Sequence, residues 1–378
     1  MSAYLDWAAT TPPDPDVIAE YSRIAQNDWY NPSSAHEGGR RVRSVLEDSR
    51  KRAAIALASD PETIVFTSGG TESDHIPLLA LLQRSSRGSI AISAIEHAAV
   101  SEQAKAMEQA GWKTLIIPST REGVITPEAV LSTIREDTAF VAVMGVNNET
   151  GAIQPIREIA EALETGRPAK RMPHFHVDAV QAVGKVPFDF NVPGVHSYAL
   201  SAHKIGGPRG IGLLKLTRRV EPFVRGGGQE RGLRPGTENV AGAAALAMAL
   251  EGATRRIAEG TAGDKIANRL FSGIANIPGI RPIPDDRAES DPRFSPFIAQ
   301  FTNRRLPGEV LVRALSDRDI YISTGSACSS KKKKRPVLEA MRVDPASQQN
   351  AFRISSGQGT TQSDIDAVLA ALSELMGV

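Results

Sequence analysis

The chain has a single cysteine, Cys328, in 378 residues. An internal disulfide is thereby excluded, and one thiol argues against a cysteine-ligated structural metal site within one chain. An excess of either charge is also missing: 44 lysines and arginines face 43 aspartates and glutamates, for a formal net charge of +1. No global field therefore points to nucleic acid or to a membrane surface, and partners have to be argued locally. No apolar run reaches the roughly 20 residues that span a bilayer. The longest, Val240 to Leu250, is alanine-rich and reads as a core helix. The first residues, Met1 to Trp7, show neither the basic start nor the apolar centre of a secretory signal, so the expected compartment is the cytoplasm. Internal repeats are lacking, and the one strongly biased run is Lys331-Lys332-Lys333-Lys334-Arg335, which five charges should keep solvated.

What is present is an α/β rhythm. Short β-rich runs at 63–68, 89–95, 114–118, 140–146, 174–180, 197–201 and 211–216 alternate with helical patterns such as 40–58, 100–111 and 127–135. This alternation predicts a mostly parallel mixed sheet flanked by helices, with ligands beyond the carboxyl ends of the strands. After a long helix from Glu238 to about Ala258 the chain becomes proline-rich and charged. A large domain over 14–258 and a smaller α+β domain from 1–13 and 259–378 are expected, the latter with a strand near 297–301 and helices near 308–317 and 362–375.

Several strand ends carry chemistry. Lys204 lies between the apolar run Ser197 to Leu200 and the glycine turn Gly206-Gly207-Pro208. Burial there lowers an amine's pKa, which suits a lysine that forms a Schiff base with a carbonyl cofactor. Thr67-Ser68-Gly69-Gly70-Thr71-Glu72-Ser73-Asp74 follows a strand and opens a helix, offering N–H groups and hydroxyls to a phosphate without the lysine of a nucleotide-binding loop. Asp178 ends another strand, where a buried carboxylate needs a cation such as a protonated pyridine nitrogen. His97 and Asn148 end two further strands, where the first could lie against an aromatic cofactor. His174 and His176 are a weak metal pair without a third ligand, so no metal is expected. The loop Arg225 to Asn239, with three arginines, reads as a second phosphate contact reaching toward a neighbouring subunit. Small residues and lysines around Cys328 suit an exposed thiolate, and Arg353 in a short strand could hold a substrate carboxylate or pair with a structural acid.

Taken in order, Tyr4 to Thr11, Asn31-Pro32-Ser33-Ser34, Thr67 to Asp74, Glu96-His97, Asn147 to Gly151, Val177 to Gln181, Ser201 to Lys204 and Ser326-Ala327-Cys328 resemble the motifs of the cysteine desulfurases. These are pyridoxal-phosphate enzymes of the class V aminotransferase group. The resemblance covers nearly the whole chain. It implies that Lys204 holds pyridoxal 5'-phosphate covalently, Asp178 pairs with its ring nitrogen, Gln181 and Asn148 meet its phenolic oxygen, and His97 stacks on the ring. Gly70, Thr71, Ser201 and His203 would hold the phosphate, with Thr237 donated by the second subunit of a homodimer. Asn148 and Arg353 would bind L-cysteine, and Cys328, on the mobile cysteine loop of one family branch, would accept the sulfur as a persulfide. His97 is the further proton carrier. The implied activity is conversion of L-cysteine to L-alanine, with the sulfur passed to an iron-sulfur scaffold or a thiolation enzyme. His75 and Trp7 depart from the common family residues. Two other readings stay open here: a selenocysteine lyase or aminotransferase of the same group, which would not depend on Cys328, and a non-enzymatic sulfur carrier or cluster-binding protein, which would not need Lys204.

Overall fold

The computed structural model describes residues 2–166, 171–260, 263–325 and 335–378. The chain opens with strand β1 (Ala3–Tyr4), then helices α1 (Pro15–Asn27) and α2 (Glu37–Ala56). Asp14 caps α1, with Pro15 fixing the first turn, and the His36 ring caps α2 by accepting from the Gly39 N–H at 3.1 Å. Then come β2 (Ile64–Thr67), α3 (Gly70–Leu79), β3 (Ser89–Ser93), α4 (Ala98–Glu108), β4 (Lys113–Ile117), α5 (Pro127–Thr133), β5 (Thr138–Ala142) and α6 (Ile156–Thr165). They are followed by β6 (His174–Asp178), β7 (Ser197–Ser201), β8 (Gly212–Leu216) and the long α7 (Val240–Ala258).

One seven-stranded sheet organises this part, in the order β2-β8-β7-β6-β5-β3-β4. Only β8 runs against its neighbours; the other pairings are parallel. Except for the edge strand β4, its strands are buried along their whole length, because helices cover both faces. The expected α/β fold is therefore what the chain adopts. The strand expected over 140–146 is shorter, but its continuation still follows β6: the Val143 N–H donates to the His176 carbonyl at 3.2 Å and the Gly145 N–H to the Asp178 carbonyl at 2.7 Å.

Beyond α7 come α8 (Gly263–Ala275), β9 (Ile280–Ile283), β10 (Ile298–Asn303), α9 (Gly308–Ser316), β11 (Ile320–Tyr321), α10 (Pro336–Ala340), α11 (Pro345–Gln349), β12 (Ala351–Ser355) and α12 (Gln362–Met376). An antiparallel sheet β12-β10-β9 and the helices α8, α9 and α12 enclose a second apolar core around Phe271, Phe301 and Phe352. The N-terminus belongs to this layer: β1 pairs with β11, and Leu5 is buried in the same core. The residues just after Leu5 run along the seam between the two cores, which brings the Ala8 and Ala9 carbonyls to the edge of the large sheet.

Candidate active site

A cavity of about 310 Å³ opens at the carboxyl ends of β6 and β7. Lys204 sits in its wall on a short 3-10 turn, Ala202–Lys204, directly after β7. Its Nζ donates to the carbonyls of Ala8 at 2.6 Å and Ala9 at 2.7 Å. Burial, and then the nearby Arg353 guanidinium, bring the amine from 10.5 down to about 8. A lysine in this state can act as a nucleophile and a base near neutral pH.

Opposite stands a group of buried carboxyls. Asp178, at the end of β6, accepts from the Val180 N–H at 2.9 Å, and burial raises its pKa against the pull of His97 and Lys204. Asp74, on the buried face of α3, also lines the cavity. Burial, with Asp178 and Glu96 nearby, lifts its carboxyl well above the usual range. Glu96 is pushed up to about 8 by burial. Its Oε1 accepts from Ser93 Oγ at 2.6 Å and from the Met144 N–H at 2.8 Å, while Oε2 has no hydrogen-bond partner among the described residues. His97 caps α4 by accepting from the Ala99 N–H on Nδ1 at 3.1 Å, so the neutral ring carries its proton on Nε2. Burial lowers its pKa.

The other end of the cavity is built for an anion. Helix α3 starts at Gly69 without a side-chain cap, leaving its first N–H groups open beside Thr71, Ser201 and His203. A Cβ on Gly70 would lie 2.7 Å from Val180 Cγ2, so this close approach of helix and loop needs glycine. His203 touches Thr10 Oγ1 at 3.1 Å through Nδ1. Gln181 donates through Nε2 to the Ala8 carbonyl at 2.8 Å, and its Oε1 accepts from the buried amine of Lys185. Lys185 escaped the sequence reading; its only signal was a lysine one helical turn beyond Gln181.

Most of the expected residues thus meet around one cavity: Gly70, Thr71, His97, Asn148, Asp178, Gln181, Ser201, His203, Lys204 and Arg353 all line it. Arg353, on β12, is already engaged. It donates to the Asn148 carbonyl at 2.8 Å and to Asp6 Oδ1 at 2.6 Å, while its buried Nε has no hydrogen-bond partner among the described residues. Both alternatives weighed for Arg353 are therefore realised in part, since it faces the cavity and pairs with an acid. Asn147 is a turn residue whose Oδ1 accepts from the N–H groups of Glu149 and Thr150. Thr237 is exposed and does not line this cavity. In its loop, Arg231 donates to the Glu62 carbonyl at 3.0 Å and Arg234 to Glu72 at 3.3 Å, so these two arginines tie the loop to the body of the same chain. His75, the departure noted above, bonds the Ala99 carbonyl at 3.0 Å, and Trp7 donates to the Tyr4 carbonyl at 2.8 Å; both are structural contacts.

Cys328 and Lys331 to Lys334 lie outside the described residues. The described residues on either side reach the cavity region. Gly325 lines it at φ 142°, and a Cβ there would lie 2.6 Å from Glu149 Oε2. Arg335 donates to the Thr324 carbonyl and is partly buried, which corrects the expectation that it belongs to a solvated run. Carbonyl partners and the carboxyl of Glu149 accept its charge there.

The family model described as aminotransferase class-V matches residues 3–368. The chain belongs to this family. Among similar curated proteins, a NifS/IcsS protein homolog of Lactobacillus delbrueckii subsp. bulgaricus is 39% identical over 98% of this chain and 96% of its own length. A cysteine desulfurase IscS of Methanosarcina thermophila is 35% identical over 99% of this chain and 92% of its own. Of solved structures, a NifS-like protein superposes with a TM-score of 0.90 at 33% identity, each chain covered completely. SspA in complex with cysteine superposes with a TM-score of 0.80 at 27% identity, covering 94% of this chain and 98% of the other.

Proposed function

We propose that this protein is a pyridoxal-phosphate-dependent cysteine desulfurase, converting L-cysteine to L-alanine and leaving the sulfur on Cys328 as a persulfide. The observation that carries this reading is one cavity holding a buried lysine amine near pKa 8, the Asp178 carboxylate and an uncapped helix start. Similar proteins named cysteine desulfurase, and one solved structure described in complex with cysteine, support it.

The residues fit the cofactor. Asp178 is a buried carboxyl that accepts from a backbone N–H, and a protonated ring nitrogen is the cation that would keep it ionised. Gly70, Thr71, Ser201 and His203 would hold the phosphate at the open start of α3, Gln181 and Asn148 the phenolic oxygen, and His97 would cover the ring. When bound, pyridoxal phosphate would supply a carbonyl for the substrate amine and an electron sink for charge developing at its Cα. Lys204 would hold the cofactor, and its amine, once freed, moves the Cα proton. Arg353 orients the substrate carboxylate, which requires it to share or exchange its bond to Asp6. His97, with its proton on Nε2, is placed to carry a thiol proton. The Cys328 thiolate then attacks the substrate sulfur. An S–S bond forms, the electrons of the C–S bond stay with carbon, and that carbon takes a proton to become the alanine methyl group.

We further propose a homodimer in which a second copy supplies Thr237, a large domain over 14–258 with a small one from 1–13 and 259–378, a cytoplasmic setting, and an iron-sulfur scaffold or thiolation enzyme as sulfur acceptor. Among the described residues no helix is long and apolar enough to cross a membrane. The direct test is spectroscopic. Purified protein should absorb near 420 nm as a protonated pyridoxal Schiff base does, roughly, and borohydride should fix the label on Lys204 by peptide mapping. Cys328→Ser should keep that band and lose sulfur transfer. Label on another lysine would remove Lys204 from the site, and undiminished turnover of Cys328→Ser would favour a lyase.

A further inference from the structure

Behind the cavity wall runs a line of polar side chains that the proposed reaction does not use. Asp74 Oδ1 lies 3.0 Å from His176 Nε2. His176 Nδ1 lies 2.7 Å from Ser197 Oγ, and the same hydroxyl lies 2.8 Å from His174 Nε2. Strand pairing makes this line: His176 is the register partner of Ser197, and two-residue alternation puts His174, His176 and Asp178 on one face of β6. The Phe140 ring stacks on His174 at 5.6 Å and on His176 at 5.9 Å, which packs both imidazoles against one aromatic face. Asp74, His176 and Ser197 are at most 1% exposed, whereas His174 keeps 7% of its surface open. The tilted ring of His196, 5.2 Å away and only half-buried, continues toward water. From His174 to Asp178 the strand rises about 13 Å, at roughly 3.3 Å per residue.

We propose that Asp74, His176, Ser197 and His174 form a proton relay that joins the carboxyl-end cavity to solvent at the opposite edge of the sheet. The three hydrogen bonds can be polarised in two directions. In one, His174 Nε2–H donates to Ser197 Oγ, the hydroxyl donates to His176 Nδ1, and His176 Nε2–H donates to ionised Asp74. Each donor then passes its proton one place along. Asp74 becomes a neutral carboxylic acid, His176 now carries its proton on Nδ1, Ser197 Oγ has received the His174 proton, and His174 takes a proton from water on Nδ1. The second state is the first plus one proton, and neither contains a charged imidazolium.

The surroundings suit that requirement. Burial brings His176 down to about 3 and lowers His174 strongly, with His196, His176 and Arg218 as the cations or rings facing it, so both rings rest neutral. Asp74 faces Asp178 and Glu96, which favour its protonated state, while His97 and Lys204 face Asp178 from the other side. A relay ending on Asp74 lets the cavity gain or lose a proton while substrate occupies its mouth. On the desulfurase reading, which this step rests on, the Cys328 thiolate and the substrate thiol become a persulfide anion and an alanine methyl group, so the one thiol proton has to be held at the cavity between leaving sulfur and reaching carbon.

The test compares Ser197→Ala, which removes the hydroxyl link, with Ser197→Thr, which keeps it. On the purified holoenzyme with ¹⁵N-labelled histidine, exchange of the His176 ring proton after transfer into D₂O should slow at least about tenfold in Ser197→Ala, and kcat should fall by about tenfold with KM within about twofold, on the scale of proton-transfer contributions. Ser197→Thr should restore both. His174→Phe, which keeps a ring against Phe140 and cuts only the outer link, should repeat the slow exchange and serves if Ser197→Ala does not fold. Wild-type exchange in the alanine variant overturns the relay. So does equal slowing in the threonine variant, which would mean that Ser197 acts through packing. Ring-proton exchange needs no turnover, so it judges the relay even if the protein proves not to desulfurate cysteine.

Discussion

Two buried polar clusters in this chain behave in opposite ways. In the first, Arg50 on α2 meets Glu230 through two parallel bonds of 2.7 and 2.8 Å. The remaining capacity of the pair is filled by the Ile64 carbonyl at 2.8 Å and the Phe66 N–H at 2.9 Å, and the guanidinium lies 5.0 Å from the Phe66 ring centre. In the second, around Lys204, the acids Asp74, Asp178 and Glu96 are buried to a similar degree but form no ion pair with a lysine or arginine among the described residues, and burial raises all three. The chain can therefore satisfy a buried acid where it needs to. Around the cavity it does not, and the groups left over are those a ligand would complete. Glu230 even adopts a left-handed backbone, φ 46°, to reach its partner, a cost the bidentate pair offsets.

The comparison predicts its largest effect at Arg50. Arg50→Ala leaves Glu230 buried without its cation, and should cost on the order of 3 to 5 kcal/mol of stability. Because Arg50 touches nothing in the cavity, the folded fraction should keep the visible band and turnover. Denaturant titration together with activity per folded molecule checks this. A change under about 1 kcal/mol, the scale of an exposed ion pair, would make the cluster no more than a surface pair.

A smaller effect is expected at Glu96, where the sign is opposite. An acid whose folded pKa lies above its unfolded one favours the folded state most at low pH, and that contribution fades as pH rises from the ordinary value of 4.5 to about 8. Glu96→Gln keeps the acceptor used by Ser93 and Met144 and mimics the protonated acid. It should therefore be neutral near pH 4 and more stable than the parent near pH 8, by up to a few kcal/mol at about 1.4 kcal/mol per pKa unit. Melting curves across that range decide it. A constant offset between the two proteins would show that Glu96 titrates alike in the folded and unfolded chain, with no upward shift from burial.

How much of this was legible in the sequence depends on whether a residue's role is local. Lys204 and Asp178 could be found because a strand ending in a charged residue, then a turn, writes its position directly into the chain. The helices α1, α6 and α8 are absent from that reading, and α1 follows the proline-rich Thr10 to Pro15. Asp74 stood in plain view within the phosphate motif, yet its role comes from the buried face of α3 meeting β6, a contact between residues about a hundred positions apart. Arg335 was misjudged for the same reason: five adjacent cations look alike until the fold sets one of them beside Glu149. Arg50 and Glu230, 180 positions apart, left no trace at all.

The smallest effect tests the lysine that the second cluster surrounds. An ordinary lysine is almost fully protonated at pH 7, whereas one lowered from 10.5 to about 8 has roughly a tenth of its amine free there. Only the free amine attacks a carbonyl. In protein stripped of cofactor, the rate of capture of added pyridoxal phosphate should rise about tenfold per pH unit below 8 and level off above it, a slope of roughly 1.4 kcal/mol per unit. Stopped-flow absorbance across pH 6 to 10, in about that range, gives the midpoint directly. Burial is the larger cause of the lowered value and Arg353 the second, with Asp178 and Asp6 opposing them. Arg353→Met removes a cation and also frees Asp6, whose bond to Arg353 is 2.6 Å, so both changes push the midpoint upward. A rate still climbing at pH 10 in the parent protein would mean that the lysine is solvated, and the contrast between a satisfied cluster and a withheld one would fail at its centre.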